Sequence, residues 1–432
     1  MSEVTGPAAG TVGRILVVGG GIGGVSTLAA LRAGGYDGEL VLIDRAAFPY
    51  DRPPLSKAYL AGECDVEDLA LQQPGWYAEH RIDLITDADV TAIDPEAGTV
   101  TVSRDGAVTT LTGDRIVLAT GGRAIVPRIP GIDSPRVHVL RTFADADALR
   151  ALLVPGARAL IVGAGLIGAE TASTARELGA DVVLVDPVDP PIAAAVGPDL
   201  ARWLHDQHAV AGVETVATTL EALQEGPTGI VAQLAGETGT EPGREFDVVL
   251  VGVGITPDTA LAEAAGLEVD RGVLVDAGQV TSHPRVLAIG DIARLRDHGR
   301  TEHWEAAQRD GQRAAATLLG TAVPAAASLD AASWFWSDRY HRHVEGVGVM
   351  RAADAEHQVL RRGEPTVDEG PGFSLWTLTP TDAEGRVRVL GCAAVDDPNA
   401  VRAARRLIDR GTAVDPAQLA DPNANLRALL RG

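Results

Sequence analysis

The sequence predicts an α/β protein with two Rossmann-like dinucleotide-binding domains and a C-terminal α+β domain, and three observations support this prediction. One pattern of strand, glycine-rich turn, helix and second strand ending in aspartate occurs twice, about 144 residues apart. Short apolar strands that end in glycine recur after each copy. Beyond residue 324, aromatic residues cluster and strand-like segments precede one helical segment.

The first copy of the pattern spans residues 14–44. It contains the strand RILVV, a turn GGGIGG that begins at Gly19, a helix to Ala33 and a second strand ending in Asp44. The first glycine permits the tight turn, the second lets the backbone approach a pyrophosphate, and the third lets helix and strand pack closely. Free N–H groups at the helix start favour phosphates, and Asp44 is placed to accept hydrogen bonds from an adenosine ribose.

The second copy spans residues 159–186 and has the same physical logic. The turn GAGLIG begins at Gly163, a helix runs to Leu178, and the second strand ends in Asp186. A 2′-phosphate beside Asp186 would be repelled, and Pro187 rather than an arginine follows it, so NAD is favoured over NADP. Two dinucleotide sites in one chain predict FAD together with a nicotinamide cofactor, since a flavin must be reduced again after each turnover.

Composition excludes several classes of function. The formal net charge of −22 argues against nucleic acid or an anionic membrane as a partner. No apolar run reaches the ~18 residues of a membrane helix, and residues 1–12 do not resemble a signal peptide, so a short disordered tail is expected there. Two cysteines, Cys64 and Cys392, form no CxxC motif, which excludes a redox dithiol and a cysteine-ligated cluster and favours the cytoplasm. The ten histidines have no metal-ligand spacing, so no metal is expected.

Further strand-like segments complete the predicted organisation. They lie within 115–122, 248–254 and 286–291, where short apolar strands run into glycines, and again at 344–349 and 374–378, before a helix at 399–410. We predict three domains with these boundaries: a discontinuous FAD domain at 13–122 and 255–323, a NAD domain at 123–254, and a C-terminal α+β domain at 324–432.

Several motifs together make a family resemblance recognisable. They are YDRPPLSKAYL from Tyr50, LATGGR from Leu118, LRT from Leu140, GAE from Gly168, AIGD ending in Asp291, and WFWSD from Trp334. The chain resembles the FAD-dependent, NADH-using ferredoxin reductases of bacterial oxygenase systems from about residue 13 to 431. The resemblance implies a fold like that of glutathione reductase. It also implies hydride transfer from NADH to FAD, followed by single-electron transfer to an iron–sulfur ferredoxin that serves a P450 or another oxygenase.

The resemblance, with the motifs, also implies roles for individual residues. Lys57, the only lysine of the chain, and Glu170 are the expected catalytic residues. The expected FAD-binding residues are Gly19, Gly21, Ile22, Gly23, Asp44, Arg45, Arg52, Lys57, Val90, Ala119, Thr120, Gly121, Arg141, Asp291, Trp304 and Trp336. The expected NAD-binding residues are Gly163, Gly165, Leu166, Ile167, Gly168, Glu170, Asp186 and Gly254.

Three departures from the family pattern stand out. Arg339 replaces the usual glutamine after Trp-Ser-Asp, Asp258 replaces an asparagine, and an arginine common after the second NAD-domain strand is absent around residues 192–196. Trp336 is either a core aromatic that shares a strand face with Trp334 or a flavin contact. Asp291 is expected to cap a helix, and His205 and His208 to be surface or core residues.

The near-neutral C-terminal region offers one candidate partner surface. Its 13 arginines nearly balance its 15 acidic residues, and helical spacing places several arginines on one face: Arg402, Arg405, Arg406 and Arg410. This face is either solvated or a docking surface for an acidic ferredoxin, and Arg309, Arg313, Arg339 and Arg342 are expected to extend it.

Two other functions on the same scaffold remain alternatives at this point. One is a flavin oxidase that passes electrons to O₂, or a disulfide reductase, which needs a reactive cysteine near the flavin; Cys64 lies beyond the RPPLSK motif and belongs to no CxxC motif. The other is an NADH-sensing flavoprotein like apoptosis-inducing factor. NADH turnover with and without ferredoxin separates them.

Overall fold

A computed structural model describes residues 12–236, 243–365 and 372–431. The chain divides into two compact units. The first comprises Met1–Arg52, Val66–Arg123 and Ile255–Ala331, and the second comprises Pro53–Asp65, Ala124–Gly254 and Ala332–Gly432. The tail expected at 1–12 lies, apart from Val12, outside the described residues. The three-domain division stays a prediction.

The first unit is built on a five-stranded parallel sheet. Its strand order is Val286–Ala288, Arg115–Leu118, Arg14–Val18, Glu39–Ile43 and Ile82–Ile85. The strand that opens the first glycine motif is therefore central, with strands from distant parts of the sequence on both sides. Apart from the edge strand Ile82–Ile85, these strands are mainly apolar and buried because both faces of a parallel sheet are covered. The predicted strands and the helix to Ala33 are confirmed.

The remaining elements of the first unit surround this sheet. A three-stranded antiparallel sheet is inserted in the chain between strands Ile82–Ile85 and Arg115–Leu118 and packs into the same core. The helices are Ile22–Ala33, Pro74–Glu79, Ala260–Ala264 and Trp304–Leu319, with short 3₁₀ helices at Val66–Leu69, Gly290–Ile292 and Ala325–Ala327. The other strands are Asp89–Asp94, Thr99–Arg104, Ala107–Thr112, Gly122–Ala124 (which ends at the unit boundary), Ile255–Pro257, Val273–Val275 and Ala293–Leu295.

The second unit contains another five-stranded parallel sheet and, in its C-terminal part, an antiparallel sheet. The parallel order is Glu214–Val216, Asp181–Val185, Arg158–Val162, Val248–Val251 and Val137–His138, again with the strand of the glycine motif in the centre. The antiparallel order is Trp334–Arg339, Arg342–Gly348, Val387–Val395, Phe373–Leu378 and Gln358–Arg362, with Ala413–Val414 paired to Val387–Val395.

The second unit also holds helices and one small sheet. The helices are Ala58–Ala61, Phe143–Arg150, Leu166–Glu177, Ala193–Val196, Pro198–Val210, Pro398–Arg410 and Pro416–Ala420, with 3₁₀ helices at Pro53–Ser56 and Ala428–Arg431. The small antiparallel sheet contains Leu220–Glu225, Ile230–Leu234 and Arg244–Phe246. Across the described ranges, no helix is both long and apolar enough to cross a membrane.

Candidate functional site

The first glycine motif has the backbone geometry that its sequence predicts. Gly19 has φ of +110°, and a Cβ there would lie 2.3 Å from the carbonyl oxygen of Ala119. A Cβ at Gly24 would lie 2.1 Å from the carbonyl oxygen of Gly19. Neither position can carry a side chain, so the turn is tight and the helix packs directly against the strand.

The start of the following helix is open to an anion. Gly21 caps helix Ile22–Ala33 without a side-chain hydrogen bond, so the first-turn N–H groups stay available. A Cβ at Gly21 would meet only Arg52 Nη1, at 3.8 Å. Arg52 Nε is buried and has no hydrogen-bond partner within the described ranges. A dinucleotide pyrophosphate fits this combination of helix N-terminus, unpaired guanidinium nitrogen and missing side chain.

Asp44 lies beside this turn at the end of the second strand. Its Oδ2 accepts a hydrogen bond from Gly20 N at 2.6 Å, and its Oδ1 accepts one from Ala46 N at 3.0 Å. Burial raises the pKa of Asp44, while the two backbone hydrogen bonds and the nearby Arg52 oppose that shift. The carboxylate is therefore held in one orientation by the turn that it is predicted to serve.

The loop at residues 119–123, which follows strand Arg115–Leu118, also belongs to the first unit. The N–H of Ala119 donates to Val18 O at 2.8 Å, Thr120 Oγ1 donates to Asp258 O at 2.9 Å, and Gly121 has φ of +69°. The Asp258 side chain pairs with Arg123 at 2.5 Å. Asp258, which replaces the asparagine of the family pattern, is therefore paired with the positive charge of Arg123.

Three further predicted residues occupy distinct places in the first unit. Arg45 is exposed, with its Nε 3.7 Å from Asp89 Oδ1, and Val90 lies on strand Asp89–Asp94. Trp304 begins helix Trp304–Leu319, and its indole N–H donates to Asp51 Oδ1 at 2.7 Å.

The expectation that Asp291 caps a helix is wrong. Asp291 lies inside the 3₁₀ helix Gly290–Ile292, whose N-cap is Ile289. The long helix begins only at Trp304, after His303. One short strand and a turn separate them, because the residues after Asp291 continue as strand Ala293–Leu295.

Sequence reasoning missed Asp310, which holds this segment in place. Asp310 Oδ2 accepts a hydrogen bond from Gly290 N at 2.9 Å, and the side chain forms an ion pair with Arg313. Burial raises the pKa of Asp310 to about 6, although Arg313 and the Gly290 N–H oppose the shift. An acid–arginine pair three residues apart on a helix usually reads as a solvated pair, so the sequence carried no distinguishing signal.

The second glycine motif repeats the geometry of the first. Gly163 has φ of +100°, and a Cβ at Gly168 would lie 1.8 Å from the carbonyl oxygen of Gly163. Gly165 caps helix Leu166–Glu177 without a side-chain hydrogen bond, and a Cβ there would meet no atom within 4 Å. Ile167, on the first turn, is 39% exposed. This helix start therefore also leaves room for a pyrophosphate.

Asp186 holds the same position relative to its turn as Asp44 does. Its Oδ2 accepts a hydrogen bond from Ala164 N and its Oδ1 one from Val188 N, both at 2.8 Å. Gly254 ends the neighbouring loop with φ of +119°, and its carbonyl accepts from Ile125 N at 2.9 Å.

Lys57 and Glu170 form a largely buried ion pair within the second unit. Lys57 Nζ lies 3.3 Å from Glu170 Oε1 and 3.1 Å from Asp338 Oδ2. The Lys57 side chain is 15% exposed and that of Glu170 is 6% exposed. Ser56 Oγ donates to Glu170 Oε2 at 2.5 Å, and Ser337 Oγ donates to Oε1 at 2.7 Å. The two catalytic residues expected from the resemblance are therefore brought together, more than 100 residues apart in sequence.

An aromatic pair borders this cluster. Trp334 and Trp336 lie on one strand face and stack with ring centroids 4.9 Å apart, as their alternation predicts. Lys57 Nζ lies 5.4 Å from the Trp336 ring centroid, within range of a cation–π interaction. Asp338 is partly buried, which raises its pKa, but hydrogen bonds from His343 and Lys57 outweigh burial and leave that pKa below its usual value.

Arg339, one of the departures from the family pattern, is buried beside this cluster. Its Nε and Nη2 have no hydrogen-bond partner in the part of the chain that the structure describes. Burial lowers the pKa of Arg339, and the negative charge of Glu170 opposes that shift. His208 Nδ1 and Tyr340 Oη are 2.5 Å apart, and burial next to Arg339 lowers the pKa of His208 to about 3, so this imidazole is neutral.

The predicted arginine face is smaller than expected. Arg402, Arg406 and Arg410 are exposed at four-residue intervals on helix Pro398–Arg410, and we call these three the arginine face. Arg405 is half-buried.

The expected extension of this face is wrong. Arg309, Arg313 and Arg339 are 7%, 6% and 5% exposed. Arg309 and Arg313 lie on the buried side of their helix and donate to main-chain carbonyls. Arg342 is half-buried and forms an ion pair with Asp396 at 2.9 Å. Helical spacing alone does not show which side of a helix is covered.

The predicted residues thus form three groups. The first glycine turn, Asp44 and Arg52 lie together in the first unit; the second glycine turn and Asp186 lie together in the second unit, as do Lys57, Glu170 and Trp336. Arg141 is in the second unit, where its N–H donates to Asp145 Oδ2 at 3.0 Å. No cluster of three or more candidate metal ligands occurs in the described ranges.

Comparison with known proteins agrees with this geometry. The family model described as pyridine nucleotide-disulphide oxidoreductase matches residues 13–311, and one described as reductase C-terminal matches residues 334–430. The ferredoxin–NAD(+) reductase component of the anthranilate 1,2-dioxygenase system of Burkholderia cepacia is 38% identical, covering 96% of this chain and 98% of that protein.

Two further similarities also span the chain. Rhodocoxin reductase of Rhodococcus erythropolis is 33% identical, covering 96% of this chain and 93% of that protein. The crystal structure of the covalent putidaredoxin reductase–putidaredoxin complex matches with a TM-score of 0.83 and 30% identity, covering 97% of this chain and 98% of that chain.

Proposed function

The chain belongs to the pyridine nucleotide-disulphide oxidoreductase family, and we propose that it is an NADH-dependent ferredoxin reductase that holds FAD and delivers electrons to an iron–sulfur ferredoxin of an oxygenase or P450 system. The observation that carries this proposal is the buried ion pair between Lys57 and Glu170, in which Glu170 lies on the helix that follows the second glycine turn. The relatives of matching length are ferredoxin reductases, which supplies the class of electron acceptor.

The first unit binds the adenosine diphosphate part of FAD in this proposal. The N–H groups at the start of helix Ile22–Ala33 and the unpaired Nε of Arg52 bind the phosphates, and Asp44 accepts hydrogen bonds from the ribose. Further contacts are proposed from the resemblance for Arg45, Val90, the 119–121 loop, Arg141, Asp291, Trp304 and Trp336. When bound, FAD supplies a flavin that accepts a hydride and releases electrons singly.

The second glycine motif binds NADH. Gly165 leaves the helix start open to the pyrophosphate, and Asp186 accepts hydrogen bonds from the adenosine ribose. The same carboxylate repels a 2′-phosphate, which is the basis of the preference for NADH. Exposed Ile167 offers an apolar surface to the nucleotide.

Lys57 and Glu170 prepare the site for hydride transfer. Glu170 orients the nicotinamide end while Ser56 and Ser337 fix both of its carboxylate oxygens. With FAD bound, the Lys57 ammonium would supply a positive charge that stabilises negative charge on the reduced flavin. Because both groups are held by neighbours before the reaction, little reorganisation is needed when charge moves.

The arginine face is the proposed docking surface for the ferredoxin. Its three arginines are exposed on one helix of a near-neutral region, and Arg410 also donates to the carbonyl of Leu430, whereas the whole chain carries a net charge of −22. An acidic partner is therefore attracted to this face and repelled elsewhere. We place the enzyme in the cytoplasm, since a sequence with only two cysteines and no CxxC motif is typical of a reducing compartment.

The test measures cofactor content and electron transfer in the purified protein. We expect one non-covalent FAD per chain after reconstitution, rapid NADH oxidation with a [2Fe–2S] ferredoxin present, and slow oxidation with O₂ as the only acceptor. Failure to retain FAD contradicts the proposal. Rapid NADH consumption with O₂ alone indicates the oxidase alternative. FAD reduction by NADH without transfer to ferredoxin indicates the NADH-sensing alternative.

A further inference from the structure

His343 lies directly opposite Asp338 across the hairpin that contains the aromatic pair. The two residues are registered partners of strands Trp334–Arg339 and Arg342–Gly348. His343 Nδ1 is 2.5 Å from Asp338 Oδ1, and because a carboxylate only accepts, the imidazole N–H donates. The backbone N–H of His343 donates to Asp396 Oδ1 at 2.8 Å, so the main chain is fixed as well.

Asp338 joins His343 to the catalytic lysine. One carboxylate oxygen, Oδ1, accepts from His343, and the other, Oδ2, lies 3.1 Å from Lys57 Nζ. Neither contact uses the oxygen that the other needs. The two cations therefore share one negative charge, and a change in either alters how strongly Asp338 attracts the other.

The other ring nitrogen of His343, Nε2, is connected through Glu345 to the stacked pair of Trp334 and Trp336. His343 Nε2 is 3.7 Å from Glu345 Oε2, and Glu345 Oε1 accepts a hydrogen bond from Trp334 Nε1 at 2.9 Å. Trp334 stacks on Trp336, over which the Lys57 ammonium lies. The contacts form a closed ring, so the position of His343 depends on the same residues that surround Lys57.

We propose that His343 is a positioning residue for Lys57: it holds Asp338 in place, and gain or loss of its proton sets how strongly Asp338 attracts the Lys57 ammonium. This inference rests on the proposed function, in which that ammonium lies beside the flavin. When His343 is protonated, it neutralises most of the charge on Asp338, and Lys57 interacts mainly with Glu170. When His343 loses its proton, Asp338 attracts Lys57 more strongly and draws it away from Glu170.

The charges around His343 set the direction of its titration. Asp338, Glu345 and Asp396 face it, against the single ammonium of Lys57, while Arg342 pairs with Asp396. The hydrogen bond to Asp338 is the largest influence and raises the pKa of His343 above its usual value; burial opposes it, and Glu345 adds to it. The stabilisation from this pair is therefore fully present below pH ~6.5 and is lost as pH rises through the raised pKa.

The single lysine of the sequence makes a direct test possible. Holoenzyme labelled with ¹³C at lysine Cε gives one lysine side-chain NMR signal, from Lys57, and its shift is followed against pH. We expect a step at the pH where the His343 ring signal titrates, above pH ~6.5. His343→Gln keeps an N–H donor but cannot titrate, so the step is expected to disappear.

A neighbouring histidine provides the matched control. His341 is exposed, sits at the hairpin turn and has φ of +56°, a conformation that asparagine tolerates. His341→Asn is therefore expected to retain the step. A Lys57 signal that shows no step in the wild-type enzyme, or a step that persists in His343→Gln, overturns the proposal.

Kinetics connect the titration to the reaction. The rate of flavin reduction by NADH is expected to fall about 2–10-fold as pH rises through the same value, and this fall is expected to be absent in His343→Gln. The lysine signal is measured without NADH. If the enzyme holds FAD but NADH does not reduce it, the proposed function fails, while the NMR result still decides whether His343 positions Lys57.

Discussion

Replacement of Lys57 by methionine removes the only ammonium of the chain while keeping an unbranched apolar side chain of similar length. In the structure, Lys57 contributes one of three donors to Glu170 and forms an ion pair with Asp338 at 3.1 Å. Ser56 and Ser337 remain to hold Glu170 in the variant. We therefore expect Lys57→Met to fold and to keep FAD but to reduce its flavin slowly.

The magnitude follows from distance and burial. At 3.3 Å and an effective dielectric constant of about 20, the Lys57–Glu170 attraction is about 5 kcal/mol before desolvation is subtracted. Only the part that grows as negative charge develops on the flavin affects the rate. We expect Lys57→Met to raise the activation barrier of hydride transfer by about 1.4–4 kcal/mol, which makes hydride transfer ~10–10³-fold slower. Lys57→Arg is expected to lie between, since a planar guanidinium cannot replace a compact ammonium in this space.

Anaerobic stopped-flow spectroscopy measures the loss of flavin absorbance after mixing with NADH. Saturating NADH separates the rate of hydride transfer from NADH binding, and thermal unfolding of each holoenzyme checks that the fold is retained. If Lys57 and Glu170 act as a unit, the double variant Lys57→Met/Glu170→Gln raises the activation free energy of flavin reduction by less than the sum of the increases in the two single variants. A Lys57→Met enzyme reduced at the wild-type rate refutes the reasoning, because it shows that positioning alone supports hydride transfer.

Three other predictions follow from named contacts. NADH is preferred over NADPH by at least ~10-fold in kcat/KM, and Asp186→Ala narrows this preference in steady-state assays; equal specificity constants in the wild type contradict the role of Asp186. Arg402→Glu/Arg406→Glu raises the KM for ferredoxin and lowers its salt sensitivity while NADH-to-ferricyanide activity is unchanged; a parallel loss of both activities shows that the arginine face is only solvated. Arg339→Gln removes a buried guanidinium with unpaired nitrogens and raises the free energy of unfolding by about 1–3 kcal/mol in urea titrations; no gain relative to Arg342→Gln shows that the charge of Arg339 is compensated.

The two glycine motifs could be predicted from the sequence because their constraints are local. A glycine with positive φ, an adjacent helix start and an acid at the end of the next strand all lie within one βαβ segment of the chain. Gly19 and Gly163 are excluded from carrying a side chain by carbonyl oxygens in the structure, and each acid binds the N–H that follows its first glycine. Hydrophobic runs likewise predicted seven of the ten strands that form the two parallel sheets; Ile82–Ile85, Glu214–Val216 and Val137–His138 were not predicted.

Contacts between distant segments could be inferred only through resemblance or not at all. The resemblance singled out Lys57 and Glu170, but spacing carries no sign that they touch, and nothing in the sequence indicates that His343 shares Asp338 with Lys57. Asp310 and Arg313 read as a solvated pair, yet the structure buries both. Helical spacing placed arginines on a face but not toward solvent, which is why Arg309 and Arg313 were misassigned.

The sequence by itself determined where the chain turns, which strands are buried, and which helix starts are open to phosphate, because those features depend on neighbours a few residues away. Tertiary structure alone decided which side of each helix is covered and which charged groups share a partner. Burial and ion pairing depend on the distance between side chains brought together by sheet order, and that order joins strands more than 100 residues apart. The arrangement of Lys57, Asp338 and His343 is therefore a property of the folded chain.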